Sequence, residues 1–212
     1  MDNRSGESPA QERKSGAAGG VDVILAADHL GNAQEVADGI GPGVKVAETA
    51  DAVARGDQVV FATWFATTKD LLATYRDQLV GKIVIDPSNN IEPDDAGGVR
   101  SLNPDGVSAG QQLSQLLPDG ARYVKAFGTL PAEALDATTT DAGATPVLFY
   151  ATDDKKAGLV VADLISAAGF DPVRAGGIDA TGRIEVFGDL HPFGGLDGRL
   201  LDRREAERLV KG

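Results

Sequence analysis

The chain has 212 residues, 42% hydrophobic and 25% charged, enough for one compact domain with a real core but not for two large ones. It carries no cysteine and only two histidines, His29 and His191, which excludes disulfides, zinc–thiolate sites, iron–sulfur clusters, a cysteine nucleophile and a multi-histidine metal centre. Twenty basic residues against 32 acidic ones leave a net charge of -12, which opposes docking on a nucleic-acid backbone or an anionic membrane, and no run approaches the roughly 20 apolar residues of a membrane span.

The acid excess is mostly aspartate, 23 Asp against 9 Glu. A surface kept monodisperse by charge and adaptation to a salty cytoplasm both fit it. The opening Met1-Asp2-Asn3-Arg4 lacks the basic-then-apolar layout of a signal peptide, so a cytoplasmic location is expected.

Residues 1–20 are polar and glycine-rich, without a β-branched residue, and form a disordered lead in this reading. The composition then shifts at Val21. A short strand is predicted over 21–25, and a helix over 32–40, ended by Gly41-Pro42-Gly43. Strand 44–46, a helix around 50–55, strand 58–62, helix 67–79 and strand 82–86 follow. A loop from Ile91 to Ser108 is long enough to be functional or mobile. Beyond it come helix 110–117, strand 122–127, a helix near 131–135, the apolar strand 147–151, and a helix capped by Thr152-Asp153-Asp154 that runs to Ala168. From Gly176 the chain reads as irregular until a charged helix over 203–211. The alternation predicts an α/β protein with an open, mostly parallel sheet, in one domain over 21–212.

Ligands of such sheets bind beyond the carboxyl ends of the strands, which directs attention to 62–66, 86–90 and 125–130. Trp64 and Phe65 form either a flat apolar wall for an aromatic cofactor, with Thr63, Asn89 and Thr129 as hydrogen-bonding groups around it, or a plug at the top of the core. Asp86 ends a buried strand, so its carboxylate is expected to cap backbone or hydroxyl donors. Asp28 and His29 follow the first strand, where an acidic group meets an adenosine ribose in dinucleotide-binding folds; a solvated turn explains them equally well. His191, in a glycine-rich turn, is either a general acid–base group or a packed core histidine. No paired carboxylates, serine-hydrolase elbow, Walker loop or calcium loop occur, and no catalytic side chain is assigned.

Taken in order, Val59-Val60-Phe61-Ala62-Thr63-Trp64, Gly81-Lys82-Ile83-Val84-Ile85-Asp86-Pro87-Ser88-Asn89, Val124-Lys125-Ala126-Phe127-Gly128-Thr129-Leu130 and Gly169-Phe170-Asp171-Pro172-Val173 resemble the NADPH-dependent deazaflavin-coenzyme (F420) reductases and related NAD(P)-binding oxidoreductases. The ending from Gly188-Asp189-Leu190-His191 to Gly194-Gly195-Leu196 is similar to a tail frequent among them, and the match spans roughly residues 20–210. The resemblance implies a Rossmann-type domain binding NADP or NAD, with hydride passing between nicotinamide and an 8-hydroxy-5-deazaflavin coenzyme or another flat acceptor. The cofactors then supply the redox chemistry while the protein orients two rings and excludes water. By the same resemblance Thr63 and Trp64 would flank the dinucleotide, Ser88, Asn89 and Asn90 would lie near its nicotinamide half, and Phe127 and Thr129 would close the hydride-transfer pocket. The partners implied are a small-molecule cofactor and acceptor, with a homodimer left open.

Three departures stand out. The family usually carries Asn where this chain has Gly128. Its Ser and Arg for the 2′-phosphate correspond to Ala26–His29 here, which opens the choice between NADP and NAD. Family members also begin with a strand and a GxGxxG loop before the strand that matches Val21–Leu25, and this chain shows neither. That loss removes the pyrophosphate site and leaves two strands without a neighbour. Either an altered reading frame or late start replaced the first βα unit, or this is a variant with re-paired strands and weakened or lost dinucleotide binding. Two functions remain open: an NAD(P)-dependent oxidoreductase, active or inactive in the form given, and a non-catalytic binding or interaction module that keeps the sheet without the cofactor.

Overall fold

The structure is a computed structural model that describes residues 20–95, 97–130, 140 and 143–212; the polar lead up to residue 19 and the helix expected near 131–135 lie outside the described residues. The chain divides into two compact units, residues 1–56 and 57–212.

In the first unit, β1 (Val23–Leu25) pairs in parallel with β2 (Val44–Val46), Val23 opposite Val44 and Leu25 opposite Val46. Helix α1 (Leu30–Ile40) joins them and buries Ala33 and Ala37, one turn apart on a single face. It stops at Gly41, whose φ of 118° suits glycine and whose N–H reaches the Ala37 carbonyl. Helix α2 (Thr49–Arg55) follows and buries Val53.

The second unit carries a five-stranded sheet in the order β3-β4-β7-β8-β9, formed by β3 (Gln58–Val60), β4 (Ile83–Asp86), β7 (Arg122–Ala126), β8 (Val147–Ala151) and β9 (Asp171–Gly176). β3, β4 and β7 are mutually parallel, β8 runs antiparallel to β7, and β9 is parallel to β8. The fold class is therefore α/β with a mainly parallel, Rossmann-like sheet. Among the described residues β1 is paired only with β2, and β3 only with β4.

The interior strands are apolar on both faces, and the structure uses both. In β8, Leu148 and Tyr150 point into a layer with Ile83, Ile85, Val124 and Ala126 under helix α5 (Lys155–Ala167), which presents Ala157, Val161 and Ile165. The alternate residues Val147, Phe149 and Ala151 join Val173, Ala175, Ile184, Leu190 and Leu201 against Ala206 of helix α6 (Arg203–Lys211). Asp154 caps α5 with its side chain, accepting from Lys156 and Ala157 N–H, as its place after the strand predicts.

Several boundaries differ from the sequence expectation. The segment 91–108 is not a plain loop: β5 (Ile91–Pro93) and β6 (Val99–Ser101) pair antiparallel within it. Helix α3 (Phe65–Thr74) starts two residues early and gives way to a 3-10 turn over Arg76–Leu79, while helix α4 is only Ala109–Ser114. β9 lies where no element is predicted; it sits at the sheet edge, where the missing N–H of Pro172 is tolerated. The stretch after Gly176 holds a 3-10 helix over Ile178–Ile184 rather than irregular chain.

Candidate functional site

Four segments of the second unit converge at the carboxyl ends of β4 and β7, and a buried charge network anchors them. Asp86 and Lys125 are register partners across the two strands. Lys125 Nζ lies 2.8 Å from Asp86 Oδ2 and also donates to the Ser88 carbonyl, while Glu185 Oε1 stands 3.6 Å away. Tyr123 Oη donates to Asp86 Oδ2 at 2.5 Å, and Ser88 N–H donates to Asp86 Oδ1 at 2.7 Å. Glu185 in turn accepts from Ala109 N–H at 2.9 Å and Gly110 N–H at 2.7 Å, two of the free donors at the start of α4. Burial raises the Asp86 pKa, but the charge of Lys125 and the hydrogen bonds from Lys125, Ser88 and Tyr123 outweigh it, so the carboxyl stays below its ordinary value. Burial, then the facing Asp86 charge, pushes the Tyr123 phenol well above its usual value. The cap expected of Asp86 is thus present, with a lysine and a tyrosine that sequence reading passed over.

On this base, Asn89 bridges three segments. Its Nδ2 donates to the Gly128 carbonyl at 3.2 Å, and its Oδ1 accepts from Val186 N–H at 2.8 Å. Gly128 has to be glycine: a Cβ there would stand 2.0 Å from the Pro87 oxygen. Asn90 is buried and donates from Nδ2 to Asn103 Oδ1 at 3.1 Å, which ties the cluster to the segment after β6. His191 is buried too. Its Nδ1 accepts from Phe193 N–H at 2.9 Å, and the ring bonds the Gly128 backbone. Burial lowers its pKa to about 4, against the Gly128 bond that favours the charged form, so the imidazole is neutral at pH 7. The packed-histidine reading, not the acid–base one, describes it.

Two side-chain atoms in this network have no partner among the described residues. Ser88 Oγ and Thr129 Oγ1 are buried and unbonded, one beside Pro87 and the other beside Gly128, the two residues whose backbones touch. Buried polar atoms are nearly always paired, so two orphans next to one close backbone approach single out this junction as a candidate site.

The other expected site residues are placed as follows. Phe127 has φ 65° and packs against the core layer under α5. Trp64 and Phe65 part ways: Phe65 is 9% exposed and plugs the core at the start of α3, whereas Trp64 is 72% exposed. Thr63 Oγ1 pairs with Thr68 Oγ1 at 2.9 Å. Asp28 and His29 lie in the first unit, both exposed and without a side-chain partner among the described residues. Two surface hollows, about 300 Å³ around Tyr150, Arg174 and Arg203 and about 330 Å³ around Asp119, Arg122 and Asp153, lie away from Ser88, Asn89 and Thr129; the second reaches Tyr123. Among the described residues no helix is long and apolar enough to cross a membrane.

Sequence reading missed Lys125, Tyr123 and Glu185. A lysine between Val124 and Ala126 in a predicted strand was the available signal for the first; nothing local announces Glu185, which arrives from the far end of the chain.

A model of the NADP oxidoreductases dependent on coenzyme F420 matches residues 8–90, so the similarity begins within the polar lead. Among solved structures, a hypothetical protein, SMa0349, from Sinorhizobium meliloti is 34% identical, with 87% of this chain and 85% of that chain covered and a TM-score of 0.72. A candidate F420-dependent NADP-reductase from Arthrobacter sp. fb24 is 25% identical, with 76% and 79% covered and a TM-score of 0.64. A pyrroline-5-carboxylate reductase from Coxiella burnetii, 17% identical over 89% of this chain and 65% of its own with a TM-score of 0.54, shares the fold. With the family model over residues 8–90 and a solved structure 34% identical and covered to 85%, the chain belongs to the family of coenzyme F420-dependent NADP oxidoreductases.

Proposed function

We propose that this chain binds a nicotinamide dinucleotide at the carboxyl ends of β4 and β7 and passes hydride between it and a flat acceptor of the deazaflavin type, as one dinucleotide-binding domain over 21–212. The observation that carries this reading is the pair of orphan hydroxyls, Ser88 Oγ and Thr129 Oγ1, at the junction that Asn89 holds together. They fit a nicotinamide half, whose carboxamide and ribose offer both acceptors and donors. Ser88, Asn89, Asn90 and Thr129 would hold that half, with Phe127 behind them and Thr63, Trp64 and Phe65 along the neighbouring strand end. Asp28 and His29 are the candidates for an adenosine ribose on the first unit. The nicotinamide supplies the hydride chemistry; the side chains bind, orient and exclude water. An acid–base residue is not needed, which agrees with a neutral, fully bonded His191.

The dependence of the family on coenzyme F420 and NADP, and the likeness to the candidate Arthrobacter F420-dependent NADP-reductase, support NADP and the deazaflavin acceptor for this chain. Asp28, where the family places a 2′-phosphate contact, keeps NAD in competition. The test is a titration of the full chain with NADPH and NADH, read by nicotinamide fluorescence and by quenching of Trp64, the sole tryptophan. Saturable quenching by at least one cofactor is expected. Unchanged signals at millimolar concentrations of both would reject the proposal in favour of a binding module that has given up the dinucleotide.

A further inference from the structure

At the outer edge of the five-stranded sheet, the hollow of about 300 Å³ lined by β8, β9 and α6 shares no residue with the nicotinamide junction. Tyr150 on β8 and Arg174 on β9 are register partners across the two strands, and both line it. Arg203 and Lys211, the first and last residues of α6, line it too. Three cations therefore gather around one hollow in a chain whose net charge is -12.

The three cations are not equally engaged. Arg203 is balanced by two carboxylates: its Nη2 lies 3.2 Å from Asp171 Oδ1 and its Nη1 3.7 Å from Glu207 Oε1. Arg174 and Lys211 are exposed and have no carboxylate partner among the described residues. Arg174 donates from Nη2 to the Thr152 carbonyl at 2.8 Å, which fixes its guanidinium and leaves further N–H groups to spare. The end of α6 that carries Lys211 is fastened as well, because Arg183 donates to the Leu209 carbonyl at 2.9 Å and to the Val210 carbonyl at 3.3 Å.

Tyr150 is the unusual member. It is only 9% exposed and belongs to the apolar layer under α5, a place that phenylalanine would fill equally well. Its hydroxyl nevertheless makes no hydrogen bond among the described residues, and a phenol this buried ordinarily finds a partner. Burial raises its pKa against the lowering pull of Arg174 and Arg203, so the hydroxyl keeps its proton at pH 7 and serves as a donor. The groups left without a partner at this hollow are thus all donors, and the one carboxylate in its lining, Glu207, is turned to Arg203.

We propose that this hollow binds a phosphate group, free or as the monoester of a small metabolite, through the Arg174 guanidinium, the Lys211 ammonium and the Tyr150 hydroxyl. Two uncommitted positive charges match the nearly two negative charges of a phosphate monoester at pH 7, and its acceptor-only oxygens suit a set of donors. A single carboxylate would leave one of the two cations unmatched. The site stands apart from the nicotinamide junction, and the inference does not depend on the nicotinamide reading.

The test is calorimetric titration of the full chain with inorganic phosphate, glycerol 3-phosphate and acetate, with NADPH titrated separately by fluorescence. Saturable binding of phosphate or its ester is expected, with acetate at least tenfold weaker. Equal affinity for the two phosphates assigns the site to free phosphate, and tighter binding of the ester assigns it to a phosphorylated metabolite; both uphold the proposal. Arg174→Gln and Lys211→Gln are each expected to weaken this binding about tenfold, and Tyr150→Phe about fivefold with Tm preserved. NADPH affinity stays within about twofold in all three. Absence of saturable binding by either phosphate at millimolar concentration overturns the proposal, as does affinity unchanged in all three variants or acetate binding as tightly as phosphate. Loss of NADPH binding in Arg174→Gln and Lys211→Gln would give the hollow to a dinucleotide phosphate and overturn it too. A chain that binds phosphate through these residues without binding NADPH upholds the proposal while defeating the nicotinamide reading.

Discussion

Asp86 and Lys125 stand opposite each other in register on adjacent parallel strands, 2.8 Å apart and 1% and 2% exposed, so the two charges neutralise one another where water does not reach. Removing one partner leaves the other charge buried without compensation, and that loss exceeds anything the intact pair contributes. Lys125→Met is expected to cost about 3–5 kcal/mol in urea unfolding, because Asp86 and Glu185 both lose their cation. The double variant Asp86→Leu/Lys125→Met should recover part of that loss. A single-variant cost below about 1 kcal/mol would mean that water enters this site.

The neutral histidine sets a pH dependence. Folded His191 has a pKa of about 4, below its ordinary 6.5, so the unfolded chain binds the extra proton first as pH falls. Its contribution is complete above about pH 6.5, declines between 6.5 and about 4, and falls no further below that. The full amplitude is about 3 kcal/mol. Unfolding free energies measured across this window should show the slope in the wild type and lose it in His191→Phe.

Gly128 touches Pro87 through backbone alone. Restoring the side chain most common in the resembled family, Gly128→Asn, places a Cβ 2.0 Å from the Pro87 oxygen and 2.8 Å from its carbonyl carbon. The loop has to shift, at a cost of about 1–3 kcal/mol, and the Asn89 bond to the Gly128 carbonyl is strained with it. Thermal unfolding reads the first effect. A Tm equal to wild type would show that the two loops move apart freely.

The orphan hydroxyls predict opposite effects on fold and ligand. Ser88→Ala and Thr129→Val each remove a buried polar atom that lacks a partner, so stability should hold or rise, by up to about 1–3 kcal/mol. Nicotinamide affinity should fall about tenfold per hydroxyl lost. Calorimetric melting together with cofactor titration separates the two; a loss of stability with unchanged affinity would assign the hydroxyls to bound water instead.

How much of this was legible depends on the range over which each signal acts. The core strands declared themselves through runs such as Ile83-Val84-Ile85 and Val147-Leu148-Phe149, because burial on both faces leaves little besides β-branched, aliphatic and aromatic residues. The position of Asp86 at a buried strand end was enough to predict a capped carboxylate. Its partners were harder to find. Tyr123 and Lys125 act on Asp86 across the sheet, and Glu185 comes in just after a 3-10 helix that local propensity does not announce. Trp64 and Phe65 are adjacent in sequence yet face opposite environments, a choice made by where α3 begins. β9 has no predicted counterpart; the missing donor of Pro172 is harmless only at a sheet edge, and edge position is a property of the whole topology.

The Asn89 side chain reaches a partner 97 residues further along the chain. During synthesis, β4 and its terminal loop leave the ribosome well before Val186 exists, so Asn89 spends that interval with its acceptor open. The sheet can form early, but the candidate site cannot. It is assembled last, when the glycine-rich turn arrives and closes over a scaffold already in place, and an early-terminated chain would carry the strands of the fold without the pocket they support.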